Sequence, residues 1–202
     1  WVSDATYRLQ IRRDNTMEAK HMAEAQWDIQ KAYDNVIRAK LTENTKQVGY
    51  PLVMLRASLK SYEWKRRLMY GKETTEPLAT SREIAAGSTF APYELATCVL
   101  LVVREHHALF PRIWMSMHVD DISQTAIGDS VDEVAESIDE STKFLARKLE
   151  DDLGLPIAPA KTFVIATSDE LLKEVGRRLG AKAGKQETAI RRLVLDHYLD
   201  MK

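Results

Sequence analysis

At 202 residues, 45% of them hydrophobic and 29% charged, the chain is long enough to enclose one real core and too apolar to be a disordered segment. A net charge of -1 excludes a globally basic nucleic-acid binder, so any nucleic-acid surface must be local. The single cysteine, Cys98, excludes an intramolecular disulfide and a cysteine-rich zinc site, and it suits a reducing compartment inside the cell, nuclear or cytoplasmic.

Residues 1–23 are polar and mixed in charge, with Arg8, Arg12 and Arg13 close together, and read as a loose or helical lead-in. No signal peptide stands at the start, and an opening on Trp1 rather than Met reads as a piece of a longer protein. Ala25 to Ile29 is a short strand. Lys31 to Gln47 has helical apolar spacing through Ala32, Val36, Ala39 and Leu41, with Gly49 as its stop. Pro51 opens a second helix that ends in the basic cluster Lys65-Arg66-Arg67. The turn signal Gly71-Lys72 makes a hairpin of Leu68 to Ile84.

Gly87-Ser88-Thr89 starts a long apolar helix capped by Ser88 or Thr89, with Glu94 in its early turns and His106-His107 near its end. Its longest apolar run, Ala96 to Val103, is about eight residues, far short of the roughly 20 that span a bilayer, so no membrane role is expected. Pro111 to Met117 and Ile122 to Ile127 are extended and form a hairpin with Asp120 and Asp121 at its bend. Ser130 caps a helix over 131–153 that Gly154 closes. Leu155 to Ala166 is extended and broken by Pro156 and Pro159. Two more helices follow, over 168–180 and 188–201. The order β-α-α-ββ-α-ββ-α-β-α predicts a mixed sheet backed by helices, of α+β or α/β class.

The chemistry concentrates where carboxylates meet strand ends. Asp120 and Asp121 lie side by side between apolar neighbours, where two ionised groups repel each other and lose solvation. A turn former is the ordinary reading of such a pair. A second cluster changes the balance. Asp28 ends the first strand, and Tyr33 and Asp34 open the helix after it, so carboxylates at two strand ends can converge on one divalent ion with hard oxygen ligands. Mg²⁺ is usually held by one or two carboxylates together with substrate phosphates, and two-metal phosphoryl transfer needs little more from the protein.

With those residues in view, the sequence resembles the palm of reverse transcriptases, most closely the non-LTR retrotransposon and group II intron type. Asp28-Ile29-Gln30-Lys31-Ala32-Tyr33-Asp34 is similar to the first palm motif. His118-Val119-Asp120-Asp121 is similar to the x-x-Asp-Asp motif. Ala86-Gly87-Ser88-Thr89-Phe90-Ala91-Pro92 resembles the segment before the long palm helix. Gly154 to Thr162 resembles the later Gly-Leu-x-Ile-Asn-x-x-Lys-Thr segment, and Leu179-Gly180 resembles the Leu-Gly beyond it.

The resemblance implies a polymerase palm over 24–180, an antiparallel ferredoxin-like sheet backed by helices. Residues 1–23 would be a remnant of partial fingers, and 181–202 a C-terminal helix at the start of a missing thumb. It implies an RNA-directed DNA polymerase, a nucleotidyltransferase acting with an RNA template, a DNA primer, deoxynucleoside triphosphates and Mg²⁺, for which Mn²⁺ can substitute. By the same resemblance Asp28, Asp120 and Asp121 would be the metal ligands and Ile29 would offer its backbone carbonyl. Tyr33 would be the steric gate against a 2′-hydroxyl, Gly87 would allow close backbone approach, and Lys161 would sit near the triphosphate as a proton donor. Lys65, Arg66 and Arg67 are candidate phosphate contacts by charge alone.

The departures are specific. Ala86 stands where the family has Gln, Ala91 where it has Ser, and Ala158-Pro159 where it has an Asn. They keep open two alternatives, a degenerate palm that binds only nucleic acid or a protein, and an RNA-dependent RNA polymerase palm. Other features have plainer readings. His106-His107 suits a helix C-terminus better than a metal, and the acidic helix from Asp132 to Asp152 reads as a solvated outer face.

Overall fold

Ala23, Ala25 and Trp27 alternate along one face of the first strand and are completely or almost completely buried, the period-two pattern of a strand lying on a core. The computed structural model describes residues 21–188. The helix expected over 188–201 and nearly all of the 1–23 lead-in lie outside them. In chain order the elements are β1 (His21–Asp28), α1 (Ala32–Asn35), α2 (Arg38–Val48), α3 (Leu52–Tyr62), β2 (Met69–Tyr70), β3 (Glu73–Thr74), α4 (Ala91–Leu109), β4 (Trp114–His118), β5 (Asp121–Gly128), α5 (Val131–Arg147), β6 (Phe163–Ala166), α6 (Asp169–Leu179) and β7 (Lys185–Thr188). They fall into two units, one of residues 21–28, 106–145 and 158–188, the other of residues 29–105 and 146–157.

The first unit carries a five-stranded sheet in the order β4-β5-β1-β6-β7. Its first four strands pair antiparallel, and strand, crossover, hairpin, helix and strand follow one another in the ferredoxin-like arrangement. The expectation of an antiparallel sheet needs one correction, because β6 and β7 pair in parallel. The edge of β6 would otherwise leave its backbone groups unpaired. The chain returns to it through α6, the crossover a parallel pair requires. Gly184, at φ 57, permits the return, since a Cβ there would collide with the carbonyl oxygen of Thr162. The strand replaces helix at the described start of the C-terminal segment.

A buried polar network joins β1 to β5. Gln124 accepts at Oε1 from Trp27 Nε1 at 2.8 Å and from Thr142 Oγ1 at 3.3 Å. Its Nε2 reaches His106 Nε2 at 2.9 Å and Ser141 Oγ, and Ser141 Oγ stands 2.7 Å from the same histidine nitrogen. That nitrogen is the acceptor of the ring, so the proton resides on Nδ1, which is buried and has no partner among the described residues. Phe110 and Phe144 close the ring in, with centroids 5.1 and 6.0 Å away.

In the second unit the helix expected from Lys31 to Gln47 is two helices. Val36 and Ile37 are extended, with ψ of 121° and 109°, between α1 and α2. Their β-branched side chains disfavour continued helix, and the opened backbone accepts two long-range bonds: Glu83 N donates to Val36 O and Ile84 N to Tyr33 O, each at 3.0 Å. Gly49 closes α2 at φ 75, and Pro51 precedes α3. Because α3 ends at Tyr62, Lys65-Arg66-Arg67 lies beyond the helix instead of forming its last turn. α4 begins at Ala91, after the turn of Gly87 to Phe90, and in the first unit α5 is capped by Ser130 Oγ accepting from Glu133 N at 3.2 Å. The helix expected to run to Leu153 widens to a π turn over Lys148–Asp152, held by ion pairs from Lys148 to Glu105 at 2.9 Å and Asp152 at 3.4 Å. No helix among the described residues is long and apolar enough to cross a membrane.

Burial, and then the neighbouring His107, lower His106 from 6.5 to about 4. The unfolded chain therefore takes up a proton as pH falls through 6.5, while the folded chain does so only near 4. The stability tied to a neutral His106 is complete above pH 6.5 and lost as pH falls towards 4, by an amount on the order of 3 kcal/mol. Denaturant melts of wild type and His106→Leu between pH 7 and 4.5 check this. The variant, less stable at pH 7 because Gln124 and Ser141 lose a partner, should show the flatter profile, and parallel losses in the two proteins would refute the assignment.

Candidate active site

β1 and β5 pair so that Asp28 lies directly opposite Asp121. Residues directly opposite in an antiparallel pair project to the same side of the sheet, and like charges so placed repel. The alternation that buries Trp27 therefore turns Asp28 to the other face. On β4, His118 is the partner of Asp121, leaving Val119 and Asp120 as the two-residue bend. Val119 has φ 58, the left-handed region that favours glycine. A β-branched side chain there carries backbone strain of roughly 1–3 kcal/mol, of the kind found at functional turns. Next to the bend, Ser116 and Ser123 join the strands through their hydroxyls at 2.6 Å.

The carboxylate of Asp121 titrates above its ordinary range. Although the residue as a whole is exposed, partial burial of its carboxyl is the largest cause, followed by the charges of Asp120 and then Asp28. His118 and Lys161 act in the opposite direction.

Lys161 is brought to this corner by a short 3-10 turn, Pro159–Lys161, which starts on proline and is closed by Thr162 N bonding to Pro159 O at 3.2 Å. Ala158 N donates to Asp28 O at 2.9 Å and ties the turn to the end of β1. From there Lys161 Nζ stands 3.1 Å from each oxygen of Asp28. The contact to Oδ1 has hydrogen-bond geometry. Oδ2 meets the ammonium off that direction and is otherwise a buried oxygen with no donor.

Four expected site residues, Asp28, Asp120, Asp121 and Lys161, thus share one corner of the first unit. Their donor set suits a hard divalent cation: anionic oxygens, one of them buried and short of hydrogen bonds, with an ammonium on Asp28 where a cation would lie. They do not form a closed cage, for among the described residues no three His, Cys, Asp or Glu side chains stand in metal-holding geometry.

The other expected residues belong to the second unit. Ile29 is buried and bridges to Ile157. Tyr33 is half-buried in α1, and its carbonyl accepts from Ile84 on the segment leading to Gly87. Gly87 has φ 90, and the space that a Cβ would fill there is open. Lys65, Arg66 and Arg67 are exposed, and Arg66 pairs with Glu83.

Spacing in the sequence gives no sign of two positioning groups in this unit. The Arg38 guanidinium donates to the carbonyls of Tyr62 (2.8 Å), Thr80 (3.0 Å), Arg82 (3.0 Å) and Glu83 (2.9 Å), binding the end of α3 to the approach to Gly87. Glu94, completely buried in the first turn of α4, accepts from Tyr62 Oη at 2.7 Å, and that hydroxyl also lies 3.4 Å from Ser88 Oγ. Burial above all, and the carboxylate beside it, push Tyr62 up to about 12.

Two stability measurements check this geometry. Asp121 is disfavoured as a carboxylate in the fold, so its cost is absent below its ordinary value of 3.8 and fully present above its raised value. Asp121→Asn should melt higher than wild type at pH 7, with the gain shrinking as pH falls towards 3.8. A variant that melts lower at pH 7 would show that crowding is not the main force. Tyr62→Phe leaves the Glu94 carboxylate buried without its donor and should cost about 1–3 kcal/mol in a denaturant melt. An unchanged midpoint would mean that the bond contributes nothing.

No family model matches the chain, and no curated protein matches it. Solved structures do. Apo telomerase of Candida tropicalis, truncated from its C-terminal domain, aligns over 81% of this chain with a TM-score of 0.52 at 11% identity. Telomerase of Candida albicans, in complex with the TWJ fragment of telomeric RNA, aligns over 80% with a TM-score of 0.53 at 12% identity. The chain spans about a third of either one, 35% and 31%. At such identity the likeness shows the fold alone, one shared with part of a telomerase chain.

Proposed function

We propose that the chain is the catalytic palm of an RNA-directed DNA polymerase of the non-LTR retrotransposon or group II intron kind, working in the nucleus or cytoplasm of the cell. The observation that carries the proposal is the Asp28–Asp121 cross-strand pair beside the Asp120 bend, on a fold like that of telomerase. The motifs resembling non-LTR and group II palms carry the finer type.

Asp28, Asp120 and Asp121 would hold Mg²⁺ or Mn²⁺ together with the triphosphate. When bound, the ions neutralise the phosphates and activate the primer hydroxyl. The protein's own part is electrostatic and positional. The carboxylates supply anionic oxygen at a fixed register, and Lys161 holds a proton at Nζ beside Asp28, within the corner where a leaving pyrophosphate would need one. The Tyr33 ring would exclude a 2′-hydroxyl, Gly87 and the Ile29 carbonyl would line the nucleotide, and Lys65, Arg66 and Arg67 would meet phosphates of template or primer. RNA as a partner is supported by the RNA-bound telomerase among the structural neighbours.

A second reading is a degenerate palm that binds nucleic acid or protein without turnover. It is favoured by the Lys161 ammonium on Asp28 and by Ala86 and Ala91 at motif positions. Primer extension on an RNA template separates the two. Wild type should extend, and Asp120→Ala should lose roughly 100-fold or more, the scale of removing a group aimed at transition-state charge. Extension retained by the variant would overturn the metal assignment. No extension by wild type, even in a version carrying fingers and thumb, would favour the degenerate palm. Tyr33→Ala should raise ribonucleotide relative to deoxynucleotide incorporation by about tenfold or more. A wild type that already prefers ribonucleotides would identify an RNA-dependent RNA polymerase.

A further inference from the structure

The segment between α3 and the Gly87 turn has a property that the palm reading does not use. Every residue from 63 to 76 is exposed. Within it Trp64 is 69% exposed, Leu68 65%, Met69 74% and Tyr70 90%, a concentration of apolar surface that a folded chain seldom leaves in water. The backbone is nevertheless ordered by its own hydrogen bonds. Met69 pairs with Thr74 and Tyr70 with Glu73, and the ribbon continues through Thr75 N to Leu68 O at 3.0 Å. The Arg66–Leu78 bridge closes it with bonds of 2.9 and 2.7 Å. The rings are therefore presented on a preformed ribbon, and little ordering entropy remains to be lost on binding.

Charge decides among ligands. Lys65, Arg67 and Lys72 are exposed and make no ion pair among the described residues, and they flank the apolar run Leu68-Met69-Tyr70 on both sides. Of the carboxylates, Glu63 is held by Lys60 at 3.0 Å, which leaves Glu73 and Glu76. A neutral protein partner covering the rings would bury these cations without counter-charges. A lipid surface taking in Tyr70 would have to take in Glu73, its cross-strand partner. An unpaired nucleic-acid strand meets both demands, placing base faces on the rings and phosphates on the flanking cations. A duplex offers no open base faces.

We propose that the 63–76 ribbon binds single-stranded nucleic acid, with Trp64 and Tyr70 as stacking platforms and Lys65, Arg67 and Lys72 as phosphate contacts. This deepens the nucleic-acid reading above and rests on it. The test is fluorescence anisotropy of the full chain with a fluorescein-labelled 12-mer of U or dT, and with a hairpin duplex of equal length, between 50 and 200 mM salt. Trp64→Ala with Tyr70→Ala should weaken single-strand binding roughly 10- to 100-fold, while Trp64→Phe with Tyr70→Phe retains most of it. Lys65→Gln with Arg67→Gln should lower the slope of log affinity against log salt by about 1.4.

All four side chains replaced here are exposed, so thermal melts should be unchanged and a folding defect is separable. Unchanged single-strand affinity in a folded Ala variant would overturn the proposal. So would equal binding of the duplex, or a wild-type self-association or anionic-vesicle binding that the Ala variant loses while its oligonucleotide binding persists. If wild type shows ring-dependent strand binding but no primer extension, the polymerase assignment fails and the ribbon stands. Extension by a protein whose ribbon variants bind and extend normally gives the reverse.

Discussion

The antiparallel register of β1 on β5 is the constraint on which the candidate site depends. It sets Asp28 against Asp121 and brings the Val119-Asp120 bend beside them, an arrangement that is unfavourable by itself. What imposes it lies on the opposite face of the same strands. Trp27, Ala25, Ala23, Ile122 and Ala126 are buried there, and the Trp27–Gln124 hydrogen bond continues into His106 and Ser141. Because side chains alternate with period two, a slip of one residue would expose that whole core face and bring the carboxylates onto it. The core holds the charges together.

The same corner shows how a protein keeps repelling carboxylates side by side. Lys161 compensates Asp28 through a turn anchored to the backbone of that aspartate, whereas Asp121 is left titrating high. The strain at Val119 and the crowding of Asp121 are both local costs that an optimum for stability would remove. Their coincidence at one bend suits a site that completes its charge balance with a ligand.

In the second unit, side-chain-to-backbone bonding replaces a sheet. Arg38 gathers four carbonyls from segments that have almost no regular structure, and Tyr62 with Glu94 ties the end of α3 to the start of α4. These bonds give the Gly87 turn a rigid approach without a strand to carry it. The exposed ribbon of residues 63–76 is ordered by its own short ladder, by the Arg66–Leu78 bridge and by the Arg66–Glu83 ion pair.

Local pattern in the chain was enough to determine much of this. Ser130 and Gly49 marked helix ends, and the aspartates at two strand ends marked the corner where charge gathers, because each of these depends on neighbours within a few residues. The tertiary structure alone decided the rest. The break at Val36-Ile37 answers acceptors needed by Glu83 and Ile84, and β7 exists because β6 had an open edge. Arg38, Glu94 and Gln124 looked ordinary since their partners lie 17 to 97 residues away, a separation that no spacing rule reports. The residues of the carboxylate corner could be named from sequence; their register, and the lysine placed on Asp28, come from burial of the other face.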